Sequence, residues 1–422
     1  MSPNPFFAKR QVPPEHFVGR TSEIASAFDQ IYNRSHLAIW GGLGMGKTSF
    51  LEKVASPQAW IDHGLDPSTA VIVLLRCEDL HPFTPAAFWQ EVLKLFHEKL
   101  DSEPQLQVYI KSLLEKAPVT NDSLRQALRR LERENKFLAL LVDDFDVSLV
   151  LNEQYTEAER ETFLAQCRSL AVGGRYLSMI VTSLNRLNEL GPKVKANASP
   201  WYNHYLFQSL KLFADKDLDQ LLTIIRPAEL RDAIRDMTGR HPTLVQIAGF
   251  FLYRELQRQQ EADVNAFAEG FERDTQEIFQ TIWSRCDEID QTLLMLIALL
   301  ALQGRLNEKH FDLSGIGRIF TQDERRLTNL EQQGIITSKL MEERKFYFFT
   351  SSIMEKWVIQ EILNTKEAEL KKREKVFLNL MSHGQVEQFK KAITWLWQNK
   401  DAVPSLLDWF AKVVAAFPKG LI

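Results

Sequence analysis

Over the first half of the chain, short continuous apolar runs alternate with stretches whose apolar residues recur at helical spacing. His36-Leu37-Ala38-Ile39-Trp40, the run from Ala70 to Arg76, Phe137 to Val142 and Tyr176 to Ser183 read as buried strands. Tyr205 to Phe213 reads as a fifth strand running into a loop. Between the strands, helices are predicted through Phe28 and Ile31, over Phe50, Leu51 and Val54, and over residues 85–100, 105–116, 121–135 and 156–170. A strand–helix series of this kind, from about residue 36 to 213, predicts a doubly wound α/β domain with a parallel sheet.

Beyond residue 214 the pattern turns almost wholly helical. Asp217 opens a helix through Leu221 and Ile225, and residues 229–238 form another. Gly239-Arg240-His241-Pro242-Thr243-Leu244 breaks the pattern, and 245–257 resumes it. Ile289 to Leu302 is strongly apolar, His310-Phe311 begins a short helix, and Thr321 is the expected cap of 322–333, which Gly334 stops. A hairpin over 335–340 and 344–349 and a helix over 352–363 complete a winged-helix pattern. The last stretch, 376–422, is helical and holds Trp395, Trp397 and Trp409 with Phe377, Phe389, Phe410 and Phe417. These aromatics are either the core of a small bundle or a surface for a protein partner. The expected domains are an arm over 1–15, laid against the first domain or loose, the α/β domain over 16–213, a helical lid over 214–284, the winged helix over 285–363 and a helical module over 364–422.

Composition adds bounds. The 422 residues are 45% hydrophobic and 25% charged, ordinary for a globular protein, and the net charge of −4 gives no global pull toward nucleic acid or anionic lipid. Three cysteines, Cys77, Cys167 and Cys286, form no metal-ligand spacing and no disulfide framework. The most apolar run is too short to span a bilayer, and the first ten residues lack an apolar core of signal-peptide length, so a cytoplasmic protein without membrane contact is expected.

The chemistry concentrates after the first strand. Gly41-Gly42-Leu43-Gly44-Met45-Gly46-Lys47-Thr48-Ser49 sits between a strand and a helix, the setting a phosphate-binding loop requires. Glycines let the backbone turn its N–H groups toward phosphate oxygens, and the helix that follows offers its positive end to the same anion. Gly42, Gly44, Met45, Gly46, Lys47, Thr48 and Ser49 are therefore candidate contacts. Lys47 is expected at the β- and γ-phosphates, and the Thr48 hydroxyl on Mg²⁺. Acidic residues at the end of a buried strand are costly unless a cation or proton traffic justifies them. Asp143 is thus the second Mg²⁺ residue, acting mostly through water, and Asp144 the group that polarises the attacking water. Asp146 is as readily a cap. At the end of the fourth strand Thr182 or Asn185 is placed to sense the γ-phosphate, and Arg186 to touch phosphate. Val18, Gly19 and Arg20 precede the loop and are candidates for the face and edge of the base. Pro242 is a candidate for packing on the base, with Arg240 or His241 near phosphate. No guanine-reading N/T-K-x-D motif occurs, which favours ATP over GTP.

Phe17-Val18-Gly19-Arg20 with Glu23, the loop 41–49, Leu140 to Asp146, Thr182-Ser183, Gly239-Arg240-His241-Pro242 and the winged-helix pattern together resemble the signal-transduction ATPases with numerous domains, on the AAA+ side of the P-loop NTPases. The relatives in view are archaeal-type ATPases and the NB-ARC regulators. The resemblance covers about residues 14–363. It implies a P-loop fold with helical lid and winged helix, ATP or ADP as ligand with Mg²⁺, slow hydrolysis, and a nucleotide-controlled switch that forms homo-oligomers when ATP-bound, in signalling or defence. Two departures stand out. The winged-helix histidine that reads ADP in NB-ARC proteins has no counterpart in Phe349-Thr350-Ser351-Ser352, and no trans-acting arginine is evident, Arg168 and Arg175 being positional candidates only. The alternative is an AAA+ ATPase of initiator or transposition-regulator type that works on DNA through the winged helix. Between 285 and 363, ten Lys and Arg stand against twelve Asp and Glu, which does not favour DNA on net charge.

Overall fold

A computed structural model describes residues 3–116, 118–193, 199–257, 263–306, 308–313, 315–341 and 344–417. The chain divides into two units, one over residues 11–41 and 46–210, the other over 1–10, 42–45 and 211–422.

The first unit is built on a parallel sheet of β1 (His36–Trp40), β2 (Ala70–Arg76), β3 (Phe137–Asp143), β4 (Leu177–Ser183) and β5 (Tyr205–Ser209), in the order β2-β3-β4-β1-β5. Every position of β1, β3 and β4 is buried, which accounts for their unbroken apolar runs. In β2 buried and half-exposed residues alternate instead, because it lies at the sheet edge with β3 as its one neighbour. The helices are α1 (Thr21–Tyr32), α2 (Lys47–Ala55), α3 (Pro57–Asp62), α4 (Pro85–Glu98), α5 (Pro104–Leu114), α6 (Asn121–Arg133) and α7 (Glu157–Val172). Thr156 starts α7 with a reciprocal cap: its hydroxyl accepts from Glu159 N–H, and Glu159 accepts from Thr156 N–H at 2.8 Å. The sheet order places a topological switch beside β1, so the loop after β1 and the ends of β3 and β4 share the carboxyl edge where α/β sheets bind ligands.

The second unit is helical. The lid comprises α8 (Asp215–Leu222), α9 (Ala228–Thr238), α10 (Pro242–Leu256) and α11 (Val264–Arg285). The winged helix follows as α12 (Glu288–Gln303), α13 (Ile316–Gln322), α14 (Glu324–Gln332), an antiparallel hairpin of β6 (Ile336–Met341) and β7 (Arg344–Phe349), and α15 (Ser352–Asn364). The chain ends in α16 (Glu367–Lys372), α17 (Glu374–Leu380), α18 (His383–Gln398), α19 (Leu406–Trp409) and α20 (Ala411–Ala416). Lid, winged helix and terminal helices share one continuous apolar core. At its centre Leu293 to Leu299 of α12 are buried without exception, so this helix has no polar stripe to show.

Three expectations change here, one of them in part, and one open alternative narrows. The arm is divided: Val12 N–H bonds the Ser49 hydroxyl and Pro14 O accepts from Lys53 within the α/β unit, whereas residues up to Arg10 belong to the helical unit, where Phe6 is 1% exposed against α10. Asn4 Nδ2 donates to Phe250 O at 3.0 Å and Phe7 N–H to Gln246 Oε1 at 2.9 Å. Thr321 does not cap a helix; it lies inside α13 and its hydroxyl donates to Gly317 O, while the break falls at Asp323. The short helix starts at Ile316, not at His310, whose ring stacks on Trp395. Of the two readings left open for the terminal aromatics, most follow the core one: Phe377, Phe389, Trp409, Phe410 and Phe417 are buried, and Phe410 meets Phe267 and Phe271 edge-on. Among the described residues no helix is long and apolar enough to cross a membrane.

Candidate nucleotide site

The loop leaves β1 with Gly41 N–H bonded to Ser183 O of β4 at 3.2 Å. It re-enters regular structure at Gly46, whose φ of 85° caps the start of α2. A side chain is strained in that region, so the glycine is needed for the backbone to turn into the helix at this point. Lys47 is the first residue of α2; its ammonium is folded back onto Gly41 O at 2.9 Å and is buried. An anion drawn into the loop would compete for that group.

At the end of β3, Asp143 is 1% exposed. Its Oδ2 accepts the Thr48 hydroxyl at 2.6 Å and its Oδ1 the Thr182 hydroxyl at 2.5 Å. Thr182 in turn accepts from Asp144 N–H at 3.0 Å. Sequence reasoning offered Thr182 or Asn185 for the γ-phosphate; the Thr182 hydroxyl is bound between the two aspartates and holds the carboxylate in place. Asp144 has a φ of 50°, a strained conformation for a non-glycine residue at the sheet's ligand edge. Burial, then the neighbouring Asp143 charge, push its carboxyl up to about 7, against the pull of Lys47. A carboxylate poised there can exchange a proton near neutral pH. Cys77, buried at the end of β2, is pushed well above the ordinary thiol range by burial and then by Asp144, Asp146 and Asp143, so it stays an inert thiol.

Other candidates serve different ends. The Ser49 hydroxyl accepts from Val12 N–H at 2.9 Å. Arg20 has a φ of 60° at the head of α1 and its guanidinium lies 3.5 Å from Glu23; Gly19 precedes it at φ 74°, and Val18 is half-buried. Asn185 is half-buried, its carbonyl accepting the Ser183 hydroxyl at 2.7 Å. Arg186 stacks on Phe207 rather than reaching into the strand ends.

Within the helical unit lies the tip of the loop, Gly42 to Met45. Met45 is a core side chain, 1% exposed beneath Gly334, so only its backbone can serve an anion. Pro242 is buried as the first residue of α10. Arg240 pairs with Asp215 at 3.4 Å. His241, one of the two residues offered for phosphate, caps α10 and bonds the loop tip, with Thr243 beside it. These two side chains were missed as loop partners, although both follow directly on the Gly239-Arg240 break.

Hard oxygen donors at Thr48 and Asp143 suit Mg²⁺. Among the described residues no three His, Cys, Asp or Glu side chains gather as in an all-protein metal centre, so the phosphates and water would complete the shell.

The fold and this loop define a P-loop NTPase fold, followed in the chain by a helical lid and a winged helix. The Walker-type ATPase PABY2304 of Pyrococcus abyssi overlays on 84% of this chain and 99% of its own, with a TM-score of 0.57 at 13% identity; at that identity the likeness is one of fold. The ORC2 protein of Aeropyrum pernix, in its ADPNP and ADP complexes, covers 85% of this chain and 98% of its own, with a TM-score of 0.48 at 13% identity. The ORC1 protein of the same organism, in complex with DNA, covers 82% and 93%, with a TM-score of 0.40 at 11% identity. No family model and no curated protein matches the sequence.

Proposed function

We propose that the protein binds ATP or ADP with Mg²⁺ and hydrolyses ATP slowly. The observation that carries this is the chain of hydrogen bonds from Thr48, beside Lys47 in the loop, through Asp143 to Thr182. It joins the loop's hydroxyl to a buried carboxylate, with a second carboxyl, pushed up to about 7, next to it. In this reading the loop amides and Lys47 bind the phosphates, Val18, Gly19 and Arg20 border the base, and Asn185 lies near the γ-phosphate. Thr48 and Asp143 hold the cation, which when bound screens phosphate charge and polarises the γ-phosphoryl group. Asp144 takes up a proton from the attacking water, and Thr182 fixes both aspartates. Titration with ADP and ATP tests the binding. Lys47→Ala is expected to abolish it, and Asp144→Asn to retain it while turnover is lost. Unchanged turnover in Asp144→Asn removes that residue from its role.

The finer reading we favour is an ATPase that works on duplex DNA through the winged helix. The support lies in where exposed bases sit, not in the net charge. Asp287 and Asp290 are taken up by Arg326 at 2.7 and 3.0 Å, Glu324 pairs with Lys345, and Glu355 with Arg305. Arg318, Arg325, Lys339 and Arg344 are exposed on the same module. Salt-sensitive binding of duplex DNA and faster hydrolysis in its presence are the expected results. The oligomerising switch is supported less. Ser351, in the stretch comparable to the ADP-reading histidine, donates to Met237 O of α9 at 3.0 Å. A shift to a larger species with ATP but not ADP, without DNA, would favour the switch.

A further inference from the structure

The phosphate loop is held from its outer side by two residues of the lid. His241 Nε2 lies 3.0 Å from Leu43 O. Thr243 Oγ1 donates to Gly44 O at 2.9 Å, and Thr243 N–H reaches the same oxygen at 3.3 Å. His241 Nδ1 accepts from Leu244 N–H as the cap of α10, which leaves the ring proton on Nε2 to be donated to the loop. The approach is close because Gly44 has no side chain: a Cβ there would fall 2.7 Å from the His241 ring and 2.8 Å from the Thr243 hydroxyl. The tip is backed as closely from the winged helix. A Cβ on Gly42 would fall 2.2 Å from Gln333 O, and one on Gly334 at 2.2 Å from Met45 Cε.

In a trans peptide the N–H points away from the C=O. Carbonyls of Leu43 and Gly44 drawn toward α10 therefore turn the N–H groups of Gly44 and Met45 the other way, into the turn of the loop, where Met45 N–H meets Gly42 O at 3.4 Å. We propose that His241 and Thr243 are positioning residues for phosphate: they touch no nucleotide, but fix the loop amides in the orientation that binds a di- or triphosphate. The inference rests on the nucleotide-binding reading above. Without the latch those amides must be ordered by the ligand itself, at a cost in affinity.

The test is titration of the full chain with a fluorescent ADP analogue and with ATP. Two variants separate the latch from the helix cap. His241→Asn keeps a side chain that caps helices well, but it is too short to reach Leu43 O. Thr243→Val keeps the shape and removes the hydroxyl. Each is expected to weaken both nucleotides by about three- to tenfold, the range of one lost hydrogen bond, and to raise KM with kcat unchanged. Thr243→Ser is expected to restore affinity. Titrations run at a temperature where each variant's far-UV spectrum matches the wild type keep unfolding from mimicking the effect. Wild-type affinity in the combined His241→Asn, Thr243→Val protein would overturn the latch alone. A wild type that binds no purine nucleotide would overturn the reading beneath it.

Discussion

Thr48 and Thr182 stand on opposite oxygens of Asp143, at 2.6 and 2.5 Å, so that a carboxylate 1% exposed to solvent has one hydroxyl from the loop and one from the neighbouring strand. Removing either donor leaves a buried oxygen short of a partner, at about 1–3 kcal/mol. Thr182→Val is therefore expected to lower unfolding free energy by that amount in urea melts. Thr48→Val is expected to cost a similar amount and, in addition, to remove most of the Mg²⁺-dependent gain in nucleotide affinity. Equal effects of magnesium on the two variants would show that Thr48 does nothing for the cation.

Asp144 carries the clearest pH signature. Its carboxyl is raised from 3.8 to about 7, first by burial and next by Asp143. The folded state thus holds this proton more tightly than the unfolded chain. The stability it contributes is complete below about pH 3.8 and is lost as pH rises through 7. Turnover runs the other way, since a base must be deprotonated, and is expected to fall as pH drops through about 7. Asp144→Asn should melt at a higher temperature than wild type at pH 8 and show no such gain at pH 4. A melting difference independent of pH would place the titrating group elsewhere.

Phe6 makes the N-terminal arm part of the helical core. Its ring occupies a slot over Gly249 of α10, where an added Cβ would fall 2.3 Å from the ring. Truncating a fully buried phenylalanine costs about 3–5 kcal/mol. Phe6→Ala is expected to shift the denaturation midpoint of the helical unit accordingly, and Gly249→Ala to destabilise by overpacking the same slot. A midpoint unchanged in both would mean that the arm is not docked in solution.

Strands and the loop were legible in the chain because each is written locally. Unbroken apolar runs mark β1, β3 and β4, and the glycine spacing with Lys47 and Thr48 marks the phosphate loop. Asp143 and Asp144 stood out as charge where a buried strand ends. What could not be read was which side chain meets which. Thr182 looked like a phosphate sensor because it lies at a strand end; that it bonds Asp143 depends on the pairing of β3 with β4. His241 looked like a phosphate contact, and only the folding of α10 onto residues 42–45 turns it to a loop carbonyl. The fate of the terminal aromatics was equally non-local, since Phe410 finds its partners at Phe267 and Phe271. At the winged helix a count of charges could not show where the exposed bases lie, on α13, α14 and the hairpin.

That last point sets the test of the DNA reading. Lys339 of β6 and Arg344 of β7 are exposed on the hairpin, with Leu340 73% and Met341 45% exposed beside them. Exposed bases on both strands of the hairpin are groups that can meet phosphate. Each phosphate contact contributes about one unit to the slope of log affinity against log salt. Lys339→Ala with Arg344→Ala is expected to weaken duplex binding at every sequence and to flatten the slope by about two units. ATP affinity without DNA is expected to stay at the wild-type value, because neither residue belongs to the loop or its latch. If the slope is unchanged while DNA still binds, the hairpin is not the contact, and Arg318 and Arg325 become the residues to substitute next.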